Sequence, residues 1–395
     1  MEPEQTKPLF RQERTDKMKK EKLLHSTKIQ QMIAQYKHDM QLVDQLTTDA
    51  EPHYEIEQEL YKKYEVKRGL RDLDGKGVRA GLTTISKVSA TQIVDGREVP
   101  AAGQLLYRGI PIEQLVQGFI THDRFGFEEI VYLLLMGHLP KADQLAQFKG
   151  LLTDYQELPN HFNSGVIMKM PSDNIMNTMA KCVLALHAYD PKPDDTSLPN
   201  VMRQCIQLVS QFPSLAVFGY QASMYFRNDR SMFIQKPDPK LSIAENILYM
   251  MRPDGKYTRL EAKLLVLHAE HGGGNNSAFT VHVVSSSGTD TYSTVAAALG
   301  SLKGPKHGGA NIKVMEMFED LKQHCPDWED EDALREYLKG LLRGEGFDHS
   351  GLIYGMGHAV YSVSDPRAVI LKSFVEQLSD EKGCHAEYQL YATVE

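Results

Sequence analysis

Residues 301–311 read SLKGPKHGGAN and place His307 between Gly304-Pro305 and Gly308-Gly309. The pattern is that of a turn entering a helix, with the small apolar stretch Tyr292–Leu302 before it and Asn311–Leu321 after it, both helical in composition. Glycines let backbone and ligand approach closely. The positive end of a helix disfavours an imidazolium, so a neutral ring is expected here. A neutral imidazole can donate a hydrogen bond to a carbonyl and stabilise the enolate formed from it. The stretch points to deprotonation of a carbon next to a carbonyl. The competing reading is an ordinary helix-capping histidine after a Gly-Pro turn.

Helical signals extend outward on both sides. From Pro111 the chain is almost wholly helical in pattern: Phe127–Met136 ended by Gly137, Pro171–Tyr189 with Pro191 beyond it, and Leu215–Phe226. Ser242-x-x-Glu245 is a capping box opening a helix to about Met251. Thr258-x-x-Glu261 opens one to about His271, with Leu260, Leu264, Leu267 and His271 on one face and Gly272-Gly273-Gly274 as the stop. Asp332–Leu342 and Ala368–Leu378 are helical again. Only Gly69–Tyr107 differs. Its β-branched stretches Thr83–Val88 and Thr91–Val94, punctuated by Asp74-Gly75, Asp95-Gly96 and Gly103, predict small strands and turns. Residues 1–65 are polar, and Lys17–Leu46 reads as an appended helical arm, with a solvated tail as the alternative. The expected fold is mainly α with minor β near the N-terminus. Its expected parts are a charged helical arm over 1–65, a large helical domain over 66–305 and a smaller one over 306–395.

The chain has 395 residues, enough to bury a sizeable core, and is 42% apolar and 24% charged, as soluble globular proteins are. A net charge of −8 argues against a general nucleic-acid binder. Cys182, Cys205, Cys325 and Cys384 form no CxxC pair, so neither a disulfide framework nor a zinc site is expected, and a cytoplasmic location fits. No run reaches the roughly 18 apolar residues of a spanning helix, so no membrane partner is expected.

Two further segments carry candidate chemistry. Residues 268–275 read HAEHGGGN. His268 and His271 at i, i+3 could ligate a metal, but the HExxH pattern and a spaced third ligand are missing, so no metal is expected. The remaining readings are a packed and a capping histidine, or a substrate site at the end of a buried helix. Residues 355–367 read GMGHAVYSVSDPR. Asp365 is a good N-cap, and Pro366 fits the first helical position. Arg367 then sits in the first turn, where the dipole disfavours a cation unless an anion is bound. Helix N-terminus and guanidinium fork together suit a carboxylate; a surface ion pair is the alternative. His358 follows a glycine pair and can face a ligand closely. Gly355-x-Gly357 is not a dinucleotide fingerprint, Gly272–Gly274 is not a P-loop, and no GxSxG is present.

With GQLLYRGIPIEQL (103–115), FEEIVYLLLMGHLP (127–140) and PDPKLSIAENILYMM (237–251), these segments resemble the citrate synthase family in family order, from about Gly69 to the end of the chain. The charged arm resembles that of divergent members. The resemblance implies that acetyl-CoA and oxaloacetate condense to citrate and CoA, with 2-methylcitrate synthesis from propionyl-CoA, or a non-catalytic helical assembly protein, as alternatives. It implies His307 as the group that hydrogen-bonds the thioester carbonyl and His358 as the group that polarises the keto carbonyl. It also implies His271 and Arg367 as oxaloacetate ligands, Asn275 as a supporting residue, no cofactor beyond the acyl-CoA co-substrate, and a homodimer. Met176–Leu186 and Ser293–Gly300 are suitable dimer packing surfaces. Gly272 stands where a Glu is common in the family, and Ser362 where a basic residue is common. The family's third catalytic residue, an aspartate in an Asn-Val-Asp-like motif, has no counterpart here, so the expectation is a chain short of the family's C-terminal return to the large domain.

Overall fold

The computed structural model describes residues 30–66, 82–252, 254–255, 257, 259–325, 327–357 and 360–395. The predictions at Asp74-Gly75 and Thr258, and residues 1–29 of the proposed arm, lie outside them. Two compact units divide at Asp49/Ala50. The described part of the first, 30–49, is helical and belongs to a helix, α1, that runs over 30–50. Everything else belongs to the second unit.

Its strands are β1 (Ser86–Val94), β2 (Arg97–Tyr107) and the short β3 (Ile110–Pro111), antiparallel in the order β1-β2-β3. Asp95-Gly96 makes the two-residue hairpin, with both residues at positive φ (50° and 74°), as this turn type requires. Gly103, read from sequence as a break, is instead inside β2. A Cβ there would come within 2.1 Å of the Ser364 carbonyl oxygen and 2.5 Å of the Tyr361 ring. The glycine is required by close approach: its N–H donates to the Ser364 carbonyl at 3.1 Å. Gly103→Ala is therefore expected to destabilise the protein by about 3 kcal/mol, because backbone rather than a flexible side-chain end must give way. Urea denaturation measures this, and an unchanged midpoint would contradict the close approach.

The helices are α2 (Gln58–Lys63), α3 (Ile112–Thr121), α4 (Phe127–Met136), α5 (Ala142–Tyr155), α6 (Ile175–Leu186), α7 (Leu198–Asn228) and α8 (Ile243–Met251). They continue as α9 (Arg259–Lys263), α10 (Asn276–Ser285), α11 (Thr291–Leu302), α12 (Ala310–His324), α13 (Glu331–Leu342), α14 (Pro366–Lys382) and α15 (His385–Val394). The α4 boundaries and the Ser242/Glu245 capping box fall where the sequence places them. Two predictions differ. Leu215–Phe226 is the second half of a 31-residue helix that passes through Pro213. A proline removes one helical hydrogen bond, but Met202, Ile206 and Leu208 before it and Leu215, Val217 and Phe218 after it are all buried, and the last four share one core. Apolar packing on both sides outweighs the lost bond. The helix expected to reach His271 ends as α at Lys263 and continues as a 3-10 turn, Leu264–His268. His271 therefore lies beyond the helix, and its place is set by tertiary contacts rather than helical periodicity.

Among the described residues, three apolar cores result. Helices α6, α7, α8 and α11 enclose one, around Cys182, Val183, Leu215, Phe218 and Tyr292. A second joins β2 to α3, α4 and the 3-10 turn, with Ile370, Leu371 and Phe374 of α14 packed against it. The third belongs to α12, α13 and α15, around Met317, Leu321, Leu334 and Leu390. A buried ion pair fastens α7 to the first core: Arg203 Nη2 reaches the Asp190 carboxylate at 2.6 and 2.7 Å, and the Tyr292 hydroxyl donates to the same group at 2.6 Å. Among the described residues no helix is long and apolar enough to cross a membrane.

Candidate functional site

His307 lies in the turn between α11 and α12, two residues before Gly309, which caps α12. Its backbone N–H donates to the Gly304 carbonyl at 2.9 Å. The half-buried ring points its Nε2 at the Ser277 hydroxyl, 2.9 Å away. Ser277 sits in the first turn of α10, and its Oγ is also 3.2 Å from the Ala298 carbonyl of α11. The hydroxyl has one proton. Spent on the Ala298 carbonyl, which can only accept, it leaves Oγ to accept from Nε2–H; donated instead to Nε2, it makes that nitrogen an acceptor and places the ring's own proton on Nδ1. Nothing in the sequence marks Ser277, whose partner is 30 residues away.

The 268–275 motif forms the loop into α10. His268 is exposed at the end of the 3-10 turn, and His271 is half-buried. Gly272 has φ +90°, and a Cβ there would come within 2.9 Å of Val88 on β1, so the loop is built around a glycine at the position of the family's common Glu. Asn275 is the N-cap of α10. Its Oδ1 accepts from the Ala278 N–H at 2.8 Å, and its Nδ2 donates to the Gly272 carbonyl at 2.7 Å. Both ends of the amide are thus held by backbone. Asn275 ties the His271 loop to the helix that carries Ser277, and so links the two candidate histidines.

The third motif meets the second through Tyr361, whose ring lies edge-on to His271 with centroids 5.5 Å apart. The Tyr361 hydroxyl donates to the Gln104 carbonyl of β2 at 3.3 Å. Burial, followed by the nearby Asp365 carboxylate, pushes the phenol up to about 12, so it remains a neutral donor. Asp365 and Pro366 cap and open α14 as read from sequence, with Asp365 Oδ1 accepting the Arg367 N–H at 2.8 Å. The guanidinium folds back on that cap: Nε is 3.2 Å from Oδ1, and Nη2 is 2.7 Å from Oδ2. Burial disfavours the Asp365 charge, but the hydrogen bonds from Arg367 outweigh it and lower the carboxyl below its ordinary range. Arg367 is therefore both half of an ion pair and a held cation. Its Nη1 has no hydrogen-bond partner among the described residues. His358 lies outside the described residues.

Other acids near these motifs are engaged. Asp348 accepts from the Tyr354 hydroxyl at 2.7 Å and the Ser350 N–H at 3.1 Å, and Glu345 pairs with Arg343 at 2.8 Å. Elsewhere, His187, Asp194 and Asp290 bring donor atoms within 4.8 Å of one another. A hydrogen bond and a helix cap account for that grouping: His187 Nε2 lies 3.1 Å from Asp194, and Asp290 caps α11 through the Ser293 N–H at 2.8 Å.

Comparison with known proteins follows the same lines. Residues 69–395 match a family model described as citrate synthase, C-terminal domain. The citrate synthase of Deinococcus radiodurans is 32% identical over 325 residues, covering 81% of this chain and 77% of the relative. The 2-methylcitrate synthase of Shewanella oneidensis is 31% identical over 335 residues, covering 82% and 78%. Among solved structures, the citrate synthase of Pyrobaculum aerophilum superposes with a TM-score of 0.63 at 27% identity, over 80% of this chain and 73% of that one.

Proposed function

Because the chain belongs to the citrate synthase family, we propose that it condenses acetyl-CoA with oxaloacetate to citrate and CoA. The observation that carries this reading is the Ser277–His307 pair. With the Ser277 proton on Nε2, Nδ1–H donates to the thioester oxygen and stabilises the enol as a carboxylate base takes the methyl proton, the role the family gives to the aspartate that has no counterpart in this sequence. The enol carbon then attacks the keto carbon of oxaloacetate, which His358 polarises, and water cleaves the thioester to release CoA. Arg367, held by Asp365 through Nε and Nη2, offers Nη1 to a substrate carboxylate. His271 binds the same substrate beside it, and Asn275 supports the loop. In this scheme imidazole and guanidinium donors supply the electrostatic stabilisation, without a metal or further cofactor. Residues 306–395 act as the smaller lobe whose closure on 66–305 excludes water.

The second reading is 2-methylcitrate synthesis from propionyl-CoA, favoured by relatives that carry that name at nearly equal identity. One methylene in an apolar pocket is worth only ~1–3 kcal/mol, so 30% identity does not separate the two. Release of free thiol, followed with each acyl-CoA in the presence of oxaloacetate, decides between them through the ratio of kcat/KM. Thiol release with neither, together with no shift in Tm on adding oxaloacetate, would overturn the enzymatic reading in favour of a helical assembly protein.

The proposed active form is a homodimer. The stretches 176–186 and 293–300 pack on one another within the chain as α6 and α11. The exposed apolar surface lies beside them on α10, which has no charged residue and no buried one; Phe279 and Val283 are exposed, as is Leu184 of α6. A charge-free apolar face carried by every copy is complementary to itself about a two-fold axis. Sedimentation at micromolar concentration is expected to give a dimer, and a monodisperse monomer would contradict it.

A further inference from the structure

His271 lies in a loop, and a loop residue aims its side chain only as well as its φ and ψ are held. Both peptide planes that meet at its Cα carry a hydrogen bond from outside the loop backbone. The plane joining residues 270 and 271 is held through the Glu270 carbonyl, which accepts from the Tyr107 hydroxyl at 2.8 Å. The plane joining 271 and 272 is held through the Gly272 N–H, which donates to Glu270 Oε1 at 2.6 Å. Two further bonds stop this pair from moving together. The Glu270 N–H donates back to the Tyr107 oxygen at 3.2 Å, and the Ser86 hydroxyl of β1 donates to Glu270 Oε1 at 3.0 Å. Tyr107 is fully buried at the end of β2. Gly272 itself is at φ +90°, a conformation that favours glycine.

We infer that Tyr107 and Glu270 are positioning residues: together they fix the backbone on both sides of His271 and so aim its imidazole at the bound oxo-acid. The inference rests on the proposed reading of His271 as an oxaloacetate ligand. Neither residue touches substrate in this arrangement. Tyr107 acts through a main-chain carbonyl, and Glu270 acts through a main-chain amide. Sheet and loop are thereby coupled, so the sheet sets the direction of a residue that helical periodicity does not reach.

The test is calorimetric binding of oxaloacetate to the full chain and its variants, with Tm recorded for each. Glu270→Ala and Tyr107→Phe should each weaken binding roughly tenfold, the factor one ordinary hydrogen bond carries when its loss is expressed in a binding constant. Glu270→Gln keeps an oxygen acceptor for the Gly272 and Ser86 donors and should bind within about twofold of the parent. In a His271→Ala background, Glu270→Ala and Tyr107→Phe should weaken binding no further, since there is no imidazole left to aim. A Tm loss accompanied by the same fold-loss of binding with and without His271 would mean a merely structural role and would overturn the inference alone. Unchanged affinity in Glu270→Ala or Tyr107→Phe, while His271→Ala weakens binding, would overturn it too. A parent chain that binds no oxaloacetate would remove the functional reading and the inference together.

Discussion

Replacing His307 with alanine is expected to lower turnover by roughly 10²–10³, the usual cost of losing one preorganised donor to a developing oxyanion, while leaving oxaloacetate affinity nearly unchanged. Two features of the site lead to this. The ring stands in the α11–α12 turn, and its side-chain hydrogen bond is to Ser277 rather than to the Arg367–Asp365–Tyr361 cluster that is proposed to hold the oxo-acid. Its Nε2 is already paired with Ser277 at 2.9 Å, so the nitrogen left for substrate is Nδ1. A hydrogen bond from Nδ1 gains most when the thioester oxygen becomes enolate-like, and an interaction stronger in the transition state than in the ground state appears in kcat rather than in KM. Steady-state rates of thiol release, with each substrate varied in turn, check the split. Unchanged turnover with a raised KM for oxaloacetate would exchange the roles given to His307 and His358.

Arg367→Lys is expected to bind oxaloacetate as poorly as Arg367→Ala, with both weakened by roughly 100-fold, the scale of a lost charge-assisted hydrogen-bond pair. The reason lies in how the guanidinium is divided. Nε and Nη2 hold Asp365 at 3.2 and 2.7 Å, which leaves the Nη1 side for a second anion. A planar fork can serve two carboxylates at fixed angles; an ammonium is a point charge on a flexible stem. A lysine here would pair with Asp365, whose half-buried carboxylate needs a cation, and would have no rigid second face. Calorimetry on the two variants is the measurement. A lysine variant within about twofold of the parent would mean that Arg367 serves the α14 cap and not the substrate.

Much of this molecule was legible in the sequence where the governing interactions are local. The capping box at Ser242/Glu245, the glycine that ends α4, the Asp95-Gly96 hairpin and the Asp365-Pro366 start of α14 each depend on residues within one turn of each other, so their spacing alone specifies them. The three histidine-bearing motifs stand out in the sequence through their glycines, which permit close approach of backbone and ligand. What only the tertiary structure decided is every relation that spans the chain. Pro213 reads locally as a break, yet burial on both sides carries α7 through it. Gly103 reads as a turn, yet it is a strand residue pressed against Tyr361 and Ser364, more than 250 positions away. The tautomer of His307 depends on Ser277, and the direction of His271 depends on Tyr107, 163 residues before the peptide it holds. Hydrogen bonds of this kind leave no period or motif behind, because their donor and acceptor are brought together only when the apolar cores have packed.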